Sequence, residues 1–298
     1  MHRIGFIGIG LMGKEVSRRL HEAGYPLTIW NRTKEKAGRL LAAGAKWADS
    51  PGDVARSADV VITMVTDSAA SQEVICGKKG VLEGAHPGLI LIDMGSIAPE
   101  MSRSIAQRAR EKGVPMLDAP VTGNPRVASE GKLGIMVGGP KEAFEGCLPI
   151  FEKLGVKIIH VGEENGKGTT LKLINNLIMG VAIEAVAEAL VLAAKADIDP
   201  QKVIGITSVG GARTGAMETR GARMIKHEFS PHFSTSNMYK DLSSALKLAE
   251  EVGVSLPATS IAREMLRAAK SQGKGDLDSC VVVTVLEDMA SIEGGTKS

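Results

Sequence analysis

Short apolar runs separated by amphipathic stretches fill the chain up to residue 163, and after Gly168 such runs stop. That change of pattern limits the fold more than any other feature. Residues 3–9, 26–30, 60–65 and 89–93 read as strands, with a short one at 45–48. Runs at 115–117, 134–137 and 156–161 complete the set. The runs at 60–65 and 89–93 lack alternation, which suits parallel strands buried on both faces. Helical spacing at 11–23 and 34–43 ends at Gly24 and Gly44, and Ser50-Pro51-Gly52-Asp53 reads as a capped helix start. Strands alternating with helices predict a doubly wound α/β domain.

Beyond Gly168 the pattern is helical only. Residues 169–196 read as one long helix, apolar nearly all round. Residues 200–208, 239–252, 257–272 and 280–292 follow as helices, with loops at 210–215 and 273–275. A helix apolar on every side needs cover on every side. The expected organisation is an α/β domain over 1–163, a long interdomain helix over 164–196 and an all-α domain over 197–298. A length of 298 residues suits more than one domain.

Gly8-Ile9-Gly10-Leu11-Met12-Gly13 has the spacing GxGxxG between the first strand and the first helix. In that context each glycine has a physical task. Gly8 allows a tight turn, Gly10 lets backbone approach a pyrophosphate, and Gly13 lets the helix pack on the strand. Leu11 and Met12 complete the turn, and the helix start presents N–H groups to phosphates. An NAD site usually has a carboxylate at the end of the second strand. Here that position reads Asn31-Arg32-Thr33, with no acid to repel a 2′-phosphate. The expected cofactor is therefore NADP, with NAD also open. The turns after the fourth and fifth strands should meet the same cofactor. They hold Val65, Thr66 and Asp67, then Gly95 and Ser96, and each suits an ordinary helix cap equally well.

The long helix carries Lys172, Asn175 and Asn176 in an apolar stretch. At 100° per residue, Gly168, Lys172, Asn175, Asn176 and Met179 share one face. Lys172 and Asn176 are neighbours at i and i+4. Desolvation makes a lysine easier to deprotonate, which suits proton transfer. A lysine reaching out to water is the plainer alternative. Thr122, Gly123 and Asn124 follow the sixth strand and offer N–H groups, a hydroxyl and an amide for a small carboxylate. The same residues also suit a simple turn before the next strand.

Bulk properties remove other classes. Net charge is +2 without a dense basic run, and aromatic residues are 3%, so nucleic acid is not the expected partner. Cys76, Cys147 and Cys280 are far apart, which fits a reducing compartment. The six histidines show no metal-ligand spacing, so no metal is expected. No uncharged run is long enough for a membrane span, and the N-terminus lacks a signal-peptide pattern, so the expected location is the cytoplasm. A phosphate-binding P-loop is absent: near Gly166-Lys167 both ends of the pattern are wrong.

Five segments together resemble the β-hydroxyacid dehydrogenase family. They are residues 4–13 (IGFIGIGLMG), 118–123 (DAPVTG), 165–176 (NGKGTTLKLINN), 240–257 (KDLSSALKLAEEVGVSLP) and 275–278 (GDLD). The family includes 3-hydroxyisobutyrate dehydrogenase, tartronate semialdehyde reductase and glyoxylate/succinic semialdehyde reductases. The resemblance spans nearly the whole chain and implies a Rossmann domain, a long interdomain helix and a helical domain. It implies that Lys172 is the catalytic acid/base and that Asn176 places substrate and lysine. It implies that Thr122, Gly123 and Asn124 anchor a substrate carboxylate, and that Lys240 reaches the nicotinamide side. A small carboxylate-bearing substrate and a homodimer or homotetramer are expected with it. The pattern departs in two places. The family usually has Ser-Gly-Gly where Thr122-Gly123-Asn124 stands. Met179 stands where 6-phosphogluconate dehydrogenases carry a glutamate, which argues against sugar-phosphate decarboxylation. Imine reductases usually replace the lysine that this chain keeps. A dinucleotide-binding module without catalysis is the rival class, and Lys172 counts against it.

Overall fold

The computed structural model describes residues 2–292. It divides into two compact units, Met1–Lys172 and Leu173–Ser298.

The first unit is built on a nine-stranded sheet. Its strands are β1 (Ile4–Ile7), β2 (Leu27–Trp30), β3 (Lys46–Trp47), β4 (Val60–Thr63) and β5 (Ile90–Asp93). They continue with β6 (Met116–Asp118), β7 (Val121–Thr122), β8 (Leu133–Gly138) and β9 (Gly155–Gly162). The order is β3-β2-β1-β4-β5-β6-β8-β7, with β9 on β8. From β3 to β6 all neighbours are parallel; β8 is antiparallel to β6 and β7. Every residue of β1 and β4 is buried, as expected of strands covered on both faces.

The α-helices lying wholly in this unit are α1 (Gly13–Glu22), α2 (Gly38–Ala42), α3 (Pro51–Ser57), α4 (Ser68–Cys76), α5 (Pro99–Glu111), α6 (Pro125–Ser129) and α7 (Lys141–Phe151). One apolar core joins Phe6, Val16, Leu20, Ile29, Ile62 and Phe151. A second joins Ile7, Val54, Val61, Ile75, Leu91 and Ile105. Most strands and helices fall where the sequence pattern puts them. Helices α4, α5 and α7 lie where the sequence reading names no element, and two shorter ones, β7 and α6, fall inside the stretch that reads as a turn. With two and five residues, they are too short for any periodicity to register. Asn124 capping α6 with Pro125 in its first turn is the one local signal.

Helix α8 runs unbroken over Lys167–Lys195, and the boundary between the units falls within it. By length and composition it could cross a membrane, with a mean hydropathy of 2.1. Its apolarity instead has a packing role: Ile183, Val186, Ala187 and Leu190 enter the second unit's core. That unit continues with α9 (Pro200–Thr207), α10 (Ala222–Ile225), α11 (Thr235–Val252), α12 (Pro257–Ser271) and α13 (Val283–Met289). A turn of π-helix at Met217–Gly221 leads into α10, a stretch where the sequence pattern predicts no element.

Glu184 is buried beside Ile183, and its Oε1 has no hydrogen-bond partner. Burial, with the nearby Glu188 charge adding, pushes its pKa from 4.5 up to about 7. The folded state therefore holds this proton more tightly than the unfolded chain. Stability should fall as pH rises from about 4.5 to about 7, then level off. The loss is up to about 3 kcal/mol. Denaturant unfolding at pH 5 and pH 7.5 measures it, and Glu184→Gln should flatten the difference.

Candidate active site

The turn between β1 and α1 is shaped by its glycines. Gly8 has φ +105°, and a Cβ there would lie 2.4 Å from the Met64 carbonyl oxygen. A Cβ on Gly13 would lie 1.9 Å from the Gly8 carbonyl oxygen, so helix and strand meet there with no room for a side chain. At Gly10 the reverse holds: a Cβ there would have nothing within 4 Å. Two glycines thus close the turn, and the third leaves open space in front of its backbone. That is the arrangement a pyrophosphate needs. Leu11 is exposed and Met12 half-buried at the helix start.

Asn31 braces this turn. Its Oδ1 accepts from the Ile9 N–H at 2.9 Å, and its Nδ2 donates to the Thr33 carbonyl at 2.7 Å. Its amide therefore shapes the two turns through backbone bonds. Arg32 and Thr33 follow, both exposed at the carboxyl end of β2. After β4, Asp67 caps α4 by accepting from the Ala70 N–H at 2.9 Å, and Thr66 Oγ1 donates to Asp67 Oδ2 at 3.1 Å. Val65 is half-buried beside them, as is Ser96 in the turn after β5.

The stretch after β6 is more ordered than a turn. Val121 and Thr122 pair with Ile135 and Gly134. Gly123 has φ +137°, and a Cβ there would meet Leu133 Cδ2 at 2.7 Å. Asn124 Oδ1 accepts from the Val127 N–H at 3.0 Å. The Asn124 oxygen is thus taken by the helix cap, and Nδ2 is the part of the amide left for a ligand.

Asp118, the last residue of β6, organises the start of α8. Its Oδ1 accepts from the Gly166 N–H at 2.8 Å and Asn165 Nδ2 at 3.4 Å, and its Oδ2 accepts from the Thr169 N–H at 2.9 Å. Gly168 lies so close to the sheet that a Cβ would be 2.5 Å from both the Asp118 and Met136 carbonyl oxygens. Helix backbone therefore docks on strand ends, and Lys172 comes one turn later. Burial raises the Asp118 pKa, opposed by its N–H donors. Sequence patterning assigns Asp118 no task. An acid closing a short apolar run is the available signal.

Lys172 is 9% exposed and Asn176 5%. On the same helix Ile174 and Ile178 are 47% and 63% exposed. The polar stripe is thus buried and part of the apolar side is open. Asn176 Nδ2 donates to Asp241 Oδ2 at 2.6 Å, while its Oδ1 accepts from Asn175 Nδ2 at 3.0 Å. Asp241 is buried, and Lys240 Nζ lies 3.4 Å from its Oδ1. One carboxylate therefore ties Asn176 to Lys240. Sequence reasoning passes over Asp241, although an acid on the inner face of an amphipathic helix is a visible sign. Among the described residues no three His, Cys, Asp or Glu side chains are grouped to hold a metal ion.

Comparisons with known proteins bear on the fold and the family. Residues 3–162 match the family model of the NAD binding domain of 6-phosphogluconate dehydrogenase. Residues 166–286 match that of the NAD-binding region of NADP-dependent 3-hydroxyisobutyrate dehydrogenase. The 2-hydroxy-3-oxopropionate reductase of Escherichia coli (strain K12) is 37% identical over 97% of this chain and 98% of its own. Glyoxylate/succinic semialdehyde reductase 1 of Arabidopsis thaliana is 35% identical over 95% of this chain and 98% of its own. The solved structure of Psf3 in complex with NADP+ and 2-OPP has a TM-score of 0.87 and 26% identity, covering 95% of this chain and 99% of that one. With a Rossmann-type sheet, the glycine turn and these relatives together, the chain belongs to the β-hydroxyacid dehydrogenase family of NAD(P)-dependent oxidoreductases.

Proposed function

We propose that the protein moves hydride between NADP(H) and a small β-hydroxy acid or its semialdehyde, with Lys172 as general acid/base. The observation carrying this is the burial of Lys172 one turn after a helix start that Asp118 pins to the sheet. A bound nicotinamide supplies the hydride in reduction and accepts it in oxidation. In reduction the Lys172 ammonium stabilises the developing alkoxide and gives it a proton. In oxidation neutral Lys172 takes the hydroxyl proton. Asn176, its amide fixed by Asn175 and Asp241, keeps oxygen and amine in line. Backbone N–H groups at Thr122, Gly123 and Asn124 hold the carboxylate, and Lys240 serves the nicotinamide side.

The 2′-phosphate is assigned to Arg32 and Thr33, supported by their exposure and by the lack of an acid beside them. A charged hydrogen bond of this kind contributes about 1.5–3 kcal/mol. Arg32→Ala should therefore raise the KM for NADPH about 10- to 100-fold and change that for NADH little. Steady-state kinetics with both cofactors check it.

Glyoxylate/succinic semialdehyde reduction is the second reading, favoured by the 35% identity to the Arabidopsis enzyme of that name. Homodimer or homotetramer assembly in the cytoplasm belongs to the same proposal. Ile174, Ile178 and Leu192 lie along one side of α8 and are 47%, 63% and 70% exposed, an apolar stripe suited to a protein partner. The deciding experiment is an assay of NADPH and NADH oxidation against glyoxylate and succinic, methylmalonic, malonic, tartronate and sulfonated semialdehydes. One clear winner with NADPH supports the proposal, and inactivity with all of them favours the non-catalytic rival.

A further inference from the structure

Thr63, Asp93 and Asp118 stand side by side at the carboxyl ends of β4, β5 and β6. Asp93 is 1% exposed. Its Oδ1 accepts from Thr63 Oγ1 at 3.0 Å and from the Gly95 N–H at 2.9 Å. Its Oδ2 is buried with no hydrogen-bond partner. The hydroxyl of Ser71 on α4 is buried in the same spot, near Gly95, and is the polar neighbour on that side of the carboxyl.

This carboxyl joins two turns. One follows β4 and carries Val65, Thr66 and Asp67; the other follows β5 and carries Ser96. The two are tied further by Met94 N–H to the Thr63 carbonyl at 2.8 Å and Ala98 N–H to Ser68 Oγ at 3.1 Å. We propose that Asp93 is a positioning residue for the dinucleotide, acting through the two turns it joins. The inference rests on the reading that those turns meet the cofactor.

Asp93 does this as a neutral acid. Asp118 beside it has N–H donors on both oxygens and is the natural anion of the two. Two buried carboxylates on paired strand ends would repel, and an ionised oxygen without a partner is costly. Burial raises the Asp93 pKa, against the neighbouring Gly95 N–H and the Ser71 and Thr63 hydroxyls, and the Asp118 charge raises it further. A proton on Oδ2 would leave Oδ1 as the acceptor that both donors use.

The test compares wild type, Asp93→Ala and Asp93→Asn by calorimetric titration with NADPH, beside steady-state kinetics. Asp93→Ala should weaken NADPH binding about tenfold or more and raise its KM by a similar factor. At saturating NADPH, kcat should change far less, and its pH profile should keep its shape. Asp93→Asn retains the acceptor and replaces O–H by N–H, so it should recover most of the lost affinity. Should Asp93→Ala fail to fold, Thr63→Val removes one of the same bonds and should weaken NADPH binding several-fold. Unchanged affinity in a folded Asp93→Ala or Thr63→Val overturns the inference. An Asp93→Asn as weak as the alanine variant overturns the neutral-acid form of it. A wild-type protein that binds neither NADPH nor NADH would instead overturn the cofactor reading, and the inference with it.

Discussion

Lys172→Met should lose turnover by a factor of about a thousand or more and still bind NADPH nearly as wild type does. General acid/base catalysis by a placed side chain contributes about 10²–10⁴-fold, and the lysine charge at the oxygen adds to that. Methionine has similar length and no proton to give, so the packing around the buried Lys172 side chain is largely kept. The glycine turn and Arg32 lie on other elements, which is why cofactor binding should survive. Steady-state rates with the best semialdehyde, paired with calorimetric NADPH titration, measure both halves. A substitution that lowered NADPH affinity and kcat together would mark Lys172 as structural.

Asp118→Ala should cost about 3–5 kcal/mol of stability, because it strands the Gly166 and Thr169 N–H groups in a buried place. The effect should not stop at stability. These bonds hold the first turn of α8, and Lys172 begins the next. Orientation of a catalytic group to within about an ångström is worth about 10²-fold in rate. The surviving folded fraction should therefore show a kcat well below wild type with KM for NADPH nearly unchanged. Thermal melts and active-fraction-corrected kinetics separate the two effects. Asp118→Asn should rescue little, since its Nδ2 would face an N–H that needs an acceptor.

Much of this molecule is legible from the chain. Gly8, Gly10 and Gly13 each have a physical task in the sequence pattern, and the local space at each matches it: closed at Gly8 and Gly13, open at Gly10. The apolar runs without alternation become parallel strands, β4 buried at every residue and β5 at all but Ile90. The long helix is foreseeable because it is mostly apolar and no proline breaks it over 29 residues. Two kinds of feature stay hidden. Very short elements such as β7 and α6 carry no period to read. Hydrogen bonds between residues distant in sequence, such as Asp118 to Thr169 or Asn176 to Asp241, leave no spacing rule. Helix periodicity places Lys172 and Asn176 on one face, but it has no means of showing that this face is the buried one. The exposed side holds Ile174 and Ile178 instead, a reversal of ordinary hydrophobic patterning. Such reversals are expected where a polar group is kept inside for chemistry.

Whether Lys172 moves the proton that accompanies hydride transfer is tested most directly by single-turnover mixing. NADPH-loaded wild type and Lys172→Met are each mixed with the best semialdehyde from the panel, and NADPH fluorescence is followed. Proton transfer by Lys172 predicts rapid loss of about one NADPH per site in wild type and a nearly flat trace in the variant. A variant trace that decays at a rate close to wild type would contradict it.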